Sequence, residues 1–186
     1  MLNQEPKIVT INNKSEEKFL RRKTELFDFS KFSKREVGEL IKRMREVMAK
    51  ANGIGLAANQ IGLDFKMFVA QIQKIDREGN SRELSNDQQK FYAIFNPEVV
   101  KVSSEKSQMD EGCLSVPGGF FGEVERPEKI TLIGFDKNGK KIKIKAWGLL
   151  ARVFQHEVDH LNGILFIDKC KKMYAIDKSE ILNPKS

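Results

Sequence analysis

The segment 148–161 constrains this chain more than any other, because it asks one helix to serve both the core and the chemistry. Leu149, Leu150, Val153, Phe154, Val158 and Leu161 recur at helical spacing, so the segment presents an apolar face, and Gly163 supplies a stop after it. Inside it, His156-Glu157-Val158-Asp159-His160 sets two histidines four residues apart, on one face of a helix. The chain has only two histidines, and both are here. Both imidazoles can therefore reach a single metal ion. Glu157 lies about 100° around the helix from His156. There its carboxylate can meet a water on such an ion without taking a coordination position. The competing reading is a charged helix face with two incidental histidines, a spacing that chance rarely produces with a glutamate between them.

A catalytic metal usually takes three protein ligands and keeps one position for water. Cys113, in Glu111-Gly112-Cys113-Leu114-Ser115, is the candidate for the third, against the reading that it is a small buried apolar residue. The rival thiol, Cys170, follows the end of the helix in a lysine-rich stretch that is not expected to fold back into a core. Asp159 is expected to support the ligands rather than join them. One sulfur and two imidazoles accept Zn2+, Fe2+, Co2+ or Ni2+ without deciding between them.

Elsewhere, Ser33-Lys34-Arg35-Glu36 reads as a capping box. Behind it Val37, Leu40, Ile41, Met44, Val47 and Met48 predict an amphipathic helix over 34–51, stopped by Gly53. Residues 67–75 and 91–95 read as strands, joined by a long polar hairpin loop over 76–90. A second hairpin is predicted from 130–135 and 140–145 around Asp136-Lys137-Asn138-Gly139. Its second arm alternates strictly, so one face should be buried and the other wet. These elements indicate an α+β fold: a single domain of largely antiparallel sheets packed around the C-terminal metal-binding helix. The 186 residues suit one core and are short for two. The domain is read as 1–186, with a core over about 17–168 and a basic tail over 169–186.

The start carries no apolar run resembling a signal peptide, and nowhere do 18 apolar residues follow one another, so a cytoplasmic protein is expected. The charge of +7, from 33 Lys and Arg against 26 Asp and Glu, looks scattered and is read mainly as an aid to solubility. Its one local concentration is Lys169, Lys171 and Lys172.

Gly53-Ile54-Gly55-Leu56-Ala57-Ala58-Asn59-Gln60 is weak evidence alone: the glycines allow close backbone approach to a ligand, or simply end a helix and turn. Followed by Glu111-Gly112-Cys113-Leu114-Ser115 and Gln155-His156-Glu157-Val158-Asp159-His160, it resembles the three signature motifs of peptide deformylases. The resemblance extends to Leu20-Arg21, Asn96-Pro97-Glu98, Arg126 and Leu161-Asn162-Gly163, and spans roughly 17–168.

That resemblance implies removal of the formyl group from the N-terminal formyl-methionine of nascent chains. It implies that Cys113, His156 and His160 hold the metal and that Glu157 passes a proton from water to the leaving amine. The Leu114 N–H and the Gln60 side chain would stabilise the oxyanion. Gly53, Ile54, Gly55 and Gly112 would bind the peptide backbone, and Leu149 and Val153 would line the methionine pocket. The implied ion is Fe2+, with Zn2+ often in its place. The implied partner is a formyl-methionyl nascent peptide, with transient ribosome contact through the basic tail. Neither a membrane nor sequence-specific nucleic-acid recognition is expected. Glu111 and Arg126 are expected to pair near the metal, so that Arg126→Ala should destabilise the fold more than Arg152→Ala, with Arg152 serving as the comparison.

Three features depart from the family pattern: Asn59 where many members carry Pro or Thr, a longer 76–90 segment, and Gly118-Gly119-Phe120-Phe121 without an arginine. A zinc protease would need a third ligand downstream, which this chain lacks as a histidine. A closed structural site would need Cys170 as its fourth ligand.

Overall fold

The computed structural model describes residues 7–72 and 90–175. Among the described residues there are three α-helices: α1 (Lys14–Leu20), α2 (Lys34–Lys50) and α3 (Gly148–Leu161). Strands β1 (Gly55–Ala57), β2 (Met67–Ile72), β3 (Lys90–Val102), β6 (Lys129–Phe135) and β7 (Lys141–Trp147) form one antiparallel sheet in the order β1-β2-β3-β6-β7. Strands β4 (Lys106–Gly112), β5 (Phe120–Pro127) and β8 (Met173–Ala175) form a second in the order β4-β5-β8. Helix α2 covers one face of the larger sheet, and α3 lies between the other face and the smaller sheet.

Helix α2 begins as its sequence dictates. The Glu36 N–H donates to Ser33 Oγ at 3.2 Å, and the Ser33 N–H donates back to Glu36 Oε2 at 2.8 Å. Val37, Leu40, Met44, Val47 and Met48 are buried along the predicted stripe. The helix ends at Lys50, one residue short of the expected 51, and Asn52 rather than Gly53 supplies the stop. Asn52 takes the left-handed turn with φ 53°, its N–H bonding Ala49 O and that of Gly53 bonding Met48 O. Asparagine tolerates that conformation, which leaves Gly53 to lead into β1.

Strand β3 runs far beyond the predicted 91–95. Reading it short follows from Pro97, which removes a donor and ordinarily ends a central strand. Here register shifts around Asn96 and Pro97 let the strand change partner, from β2 before Phe95 to β6 after it. The β6–β7 hairpin is where it was predicted, but only Gly139 takes a positive φ, 74°. Asp136 closes that turn by accepting from the N–H groups of Asn138 and Lys140. The strand residues expected at 73–75 lie outside the described residues, as does the 76–90 loop apart from Lys90, which opens β3.

The folded part exceeds 17–168 at both ends. The Val9 and Ile11 N–H groups donate to Gln60 O and Ser115 O. The lysine-rich stretch after Asp168 does fold back: Cys170 packs with Val116, Val124 and Phe166, and β8 pairs with the open edge of β5. An unpaired edge strand is a liability that a neighbouring segment can cover, and composition alone does not reveal which segment will do it.

Two glycines test the helix ends and interiors. Gly163 has φ 76°, and a Cβ there would overlap the Arg21 carbonyl, whereas Gly38 on α2 has open space around it. Gly163→Ala should lower the urea midpoint by an amount equivalent to more than ~1 kcal/mol. Gly38→Ala should raise it by about 0.5–1 kcal/mol.

Candidate metal centre

Helix α3 brings His156 and His160 to the turn that follows β4, where Cys113 sits. One ligand atom from each of the three lies within 4.8 Å of the others, and Cys113 Sγ stands 3.1 Å from His160 Nε2. The His156 Nδ1–H donates to Glu111 Oε2 at 2.9 Å, which leaves Nε2 as its ligating atom. Burial alone would push the Cys113 thiol up, but His160 and His156 beside it hold it well below its ordinary value. Burial likewise opposes charge on His156, yet Cys113 and Glu111 push that ring up to about 10. The cluster thus favours a thiolate, balanced by positive charge. A thiolate and two imidazoles suit a borderline-soft divalent ion, so these residues fit the metal that their arrangement implies. Cys170, packed under Gly122, is no part of the group.

Glu157 is 3% exposed, and among the described residues its Oε2 has no hydrogen-bond partner. Burial is the main reason its carboxyl is pushed up to about 7, near neutrality, where a general acid–base group is useful. Gly55 faces it closely enough that a Cβ would overlap Glu157 Oε1. The β1 backbone therefore forms one wall of the site because residue 55 has no side chain. On the opposite wall, a Cβ on Gly112 would press on the Phe121 ring at 2.8 Å.

These walls enclose a cleft of about 550 Å³. Gly53, Ile54, Gly55, Gln60, Gly112, Cys113, Leu114, Leu149, Val153, His156 and Glu157 all line it; His160 lies beneath, 1% exposed. Gln60 is clamped at the rear. Its Oε1 accepts from the Ala57 N–H at 2.8 Å, while Nε2 points at Ser115 Oγ (3.2 Å) and Cys113 Sγ (3.5 Å). Asn59, which the sequence marks only as a departure, is fully buried and donates from Nδ2 to His160 O at 2.6 Å. It ties the Gln60 turn to the end of α3.

Around His156 lies a buried ionic cluster. Glu111 accepts from Arg126 Nε at 2.6 Å and Nη2 at 2.8 Å, and from Arg152 Nη1 at 2.7 Å. Arg126 Nη1 also donates to Asp159 at 2.7 Å, and Lys169 pairs with Asp159 at 2.6 Å. The expected Glu111–Arg126 pair is present, but Arg152 pairs with Glu111 too and is no milder comparison. It is 4% exposed and also donates to Val124 O and Ser107 O. The signal for it was its place on the His156–His160 stripe, four residues before His156. Burial would raise the Glu111 carboxyl, but Arg126 and His156 outweigh it and hold it far below the usual range.

A Cys-His-His cluster beside a buried glutamate, set on an antiparallel α+β fold, has the make-up of a hydrolytic metal site. The sequence profile of the polypeptide deformylase family matches residues 6–175. A peptide deformylase of Halothermothrix orenii is 44% identical over 130 residues, covering 70% of this chain and 75% of that one. The crystal structure of a probable peptide deformylase from Synechococcus phage S-SSM7 superposes with a TM-score of 0.73 at 40% identity, covering 88% and 98% of the two chains. A class I type b peptide deformylase from Acinetobacter baumannii, solved with Met-Ala-Ser bound, gives 0.74 at 28% identity, covering 88% and 96%. The chain belongs to the polypeptide deformylase family. It is a metal-dependent hydrolase that removes the N-formyl group from nascent polypeptides.

Breaking a buried ion pair from one side costs roughly 3–5 kcal/mol, because the remaining charge is stranded. Arg126→Met and Arg152→Met should therefore both destabilise the fold by amounts in that range. A denaturant midpoint unchanged in either would show that the arginine is solvated. Because its folded carboxyl titrates low, Glu111 stabilises the fold above the ordinary carboxylate range and loses that contribution as pH falls. Glu111→Gln should be less stable at neutral pH and show a flatter loss of stability toward acid.

Proposed function

We propose that Cys113, His156 and His160 bind one divalent metal ion and that Glu157 carries the proton in deformylation. The observation that supports this is the convergence of the three ligand atoms within 4.8 Å, beside a buried glutamate and in one cleft. Held by Cys113, His156 and His160, such an ion would supply Lewis acidity, lowering the pKa of a water molecule toward neutrality. Glu157 takes a proton from that water and delivers it to the amine nitrogen as the C–N bond breaks, releasing formate and a free N-terminus. The Gln60 Nε2 group and the Leu114 N–H stabilise the charge that develops on the formyl oxygen.

The nascent peptide lies along Gly53, Ile54 and Gly55, since β1 is the edge of its sheet and offers unpaired backbone groups. Gly112, at the end of the edge strand β4, supports it from the other wall. Leu149 and Val153 line the pocket for the methionine side chain. That the Acinetobacter relative was solved with Met-Ala-Ser bound supports a methionine-first peptide. Fe2+ is the working ion by the family resemblance alone, since the donor set accepts Zn2+, Ni2+ and Co2+ equally. The nascent chain is met in the cytoplasm, with transient ribosome contact through Lys171 and Lys172. Lys169 is already held by Asp159.

Protein purified without oxygen and assayed on formyl-Met-Ala-Ser tests the assignment. Glu157→Ala should keep its metal and lose about 10²–10⁴ in kcat, the usual worth of acid–base catalysis. Near-normal turnover would remove Glu157 from the mechanism. Cys113→Ala should lose metal on dialysis, while Cys170→Ala should retain it. Equal metal loss in both cysteine variants would indicate a four-ligand structural site instead.

A further inference from the structure

Lysines that look scattered in the sequence are gathered by strand register. On β7, Lys141, Lys143, Lys145 and Trp147 alternate onto one exposed face. Lys129 on β6 stands opposite Trp147, and Thr131 stands opposite Lys145. Across the next pairing, Lys101 on β3 stands opposite Thr131. One row across three strands therefore reads Lys101, Thr131, Lys145, and the neighbouring row ends on Lys129 and Trp147. This is the same face that α2 and the Phe27–Phe29 rings cover elsewhere, but that cover reaches only as far as Phe95 and Phe135. Beyond it no described helix covers the sheet, and its lysines and Trp147 are exposed around the buried Thr131.

Among the described residues, none of Lys101, Lys129, Lys141, Lys143 and Lys145 forms an ion pair. The carboxylate on the paired part of this face is Glu98, opposite Ile133, and it faces Lys66. Asp136, in the adjoining turn, is occupied by two backbone N–H groups. Glu128 lies beside Gly148, at the Trp147 end of the face, and its N–H bonds Glu105 O. Lysines outnumber carboxylates on this face, and among the described residues they are the side chains left without a counter-charge.

Trp147 separates two explanations. Lysines on an edge strand are a common defence against edge-to-edge aggregation. That defence gains nothing from the chain's single tryptophan, 68% exposed, at the end of the same strand. A large apolar ring left in water invites contact. Cations that track a phosphodiester backbone, with an aromatic ring on which a base stacks, are the two parts of a single-stranded nucleic-acid site. Alternate residues on a strand lie about 6.8 Å apart, a spacing comparable with that of phosphates along an extended single strand. An anionic membrane would want several apolar side chains clustered for insertion, whereas here Trp147 on β7 is separated by Lys129 on β6 from Val100 and Val102, the exposed apolar residues of β3. We propose that the outer face of β3, β6 and β7 binds single-stranded RNA without sequence preference. The site stands apart from the hydrolytic cleft, and the proposal stands whether or not the metal assignment does.

Because Trp147 is the only tryptophan, its fluorescence reports this surface alone. Titrating the metal-loaded protein with a short oligouridine should quench that emission. Affinity should fall steeply with salt, since each phosphate neutralised contributes a slope of about −0.7 for a single strand. The Lys143→Glu, Lys145→Glu double variant should bind about tenfold or more weakly at low salt, with the slope flattened by about 1.4. Its turnover of formyl-Met-Ala-Ser should be unchanged, which shows that it is folded. Trp147→Ala, followed by anisotropy of a labelled oligouridine, should bind more weakly, and Trp147→Phe should restore most of the loss. A control pair on α2, Lys34→Glu with Lys42→Glu, should bind within about twofold of the parent. The proposal is overturned if oligouridine leaves the emission unchanged, or if the strand and helix variants lose affinity equally. It is also overturned if phosphatidylserine vesicles quench Trp147 and oligouridine does not. Loss confined to a Lys171→Glu, Lys172→Glu variant would overturn it too, by moving the contact to the C-terminal lysines.

Discussion

Glu111 accepts hydrogen bonds from Arg126, Arg152 and His156, and through them one buried carboxylate ties β4, β5 and α3 together. Desolvating four such groups is costly, and the cost is offset only because nearly every lone pair and N–H in the cluster finds a partner. What the cluster provides is geometry. Its bond to His156 Nδ1 fixes which ring nitrogen faces Cys113, and Arg126 carries the same constraint on to Asp159 near His160. The proposed ligand atoms are thereby oriented independently of an ion, which is what support from outside the ligand set accomplishes in metal sites generally.

The position of α3 follows from the same cluster. Its apolar stripe, with Ala151, Phe154 and Leu161, packs on the larger sheet, while Arg152 and Gln155 hydrogen-bond to backbone carbonyls of the smaller one. A helix gripped on two sides can hold a reactive side chain at its junction with little freedom. Glu157 sits there, away from water and close to the side-chain-free Gly55, and burial raises its carboxyl into the range where it both accepts and returns a proton. The apolar packing that stabilises the fold is thus also what tunes the acid–base group.

The larger sheet divides its labour along its width. Over β1 to β3 it supports α2 on one face and α3 on the other. Over β6 and β7 one face still serves the core, through Ile130 and Leu132, while the other carries lysines and Trp147 into solvent. A hydrolase for nascent peptides and the proposed surface for RNA can coexist on such a sheet because successive side chains point to opposite faces.

Local periodicity alone identified α2 and α3, the capping box at Ser33 and the β6–β7 hairpin. It also placed His156 and His160 on one side of a helix with Glu157 beside them. Helix and strand geometry repeat over a few residues, so spacing in the chain is spacing in space. The motifs around Gly55, Cys113 and His156 then named the family. Tertiary structure decided the rest. It carried β3 through Pro97, because a bulge and a change of partner are settled by the strands on either side. It folded Cys170 back under Gly122, turned Arg152 onto a carboxylate 41 residues away, and let Asn59 hold the end of the ligand helix. It also gathered Lys101, Lys129 and Lys145 from three strands onto one face. Register between strands is set by which side chains pack across the sheet, and no spacing along the chain records that choice.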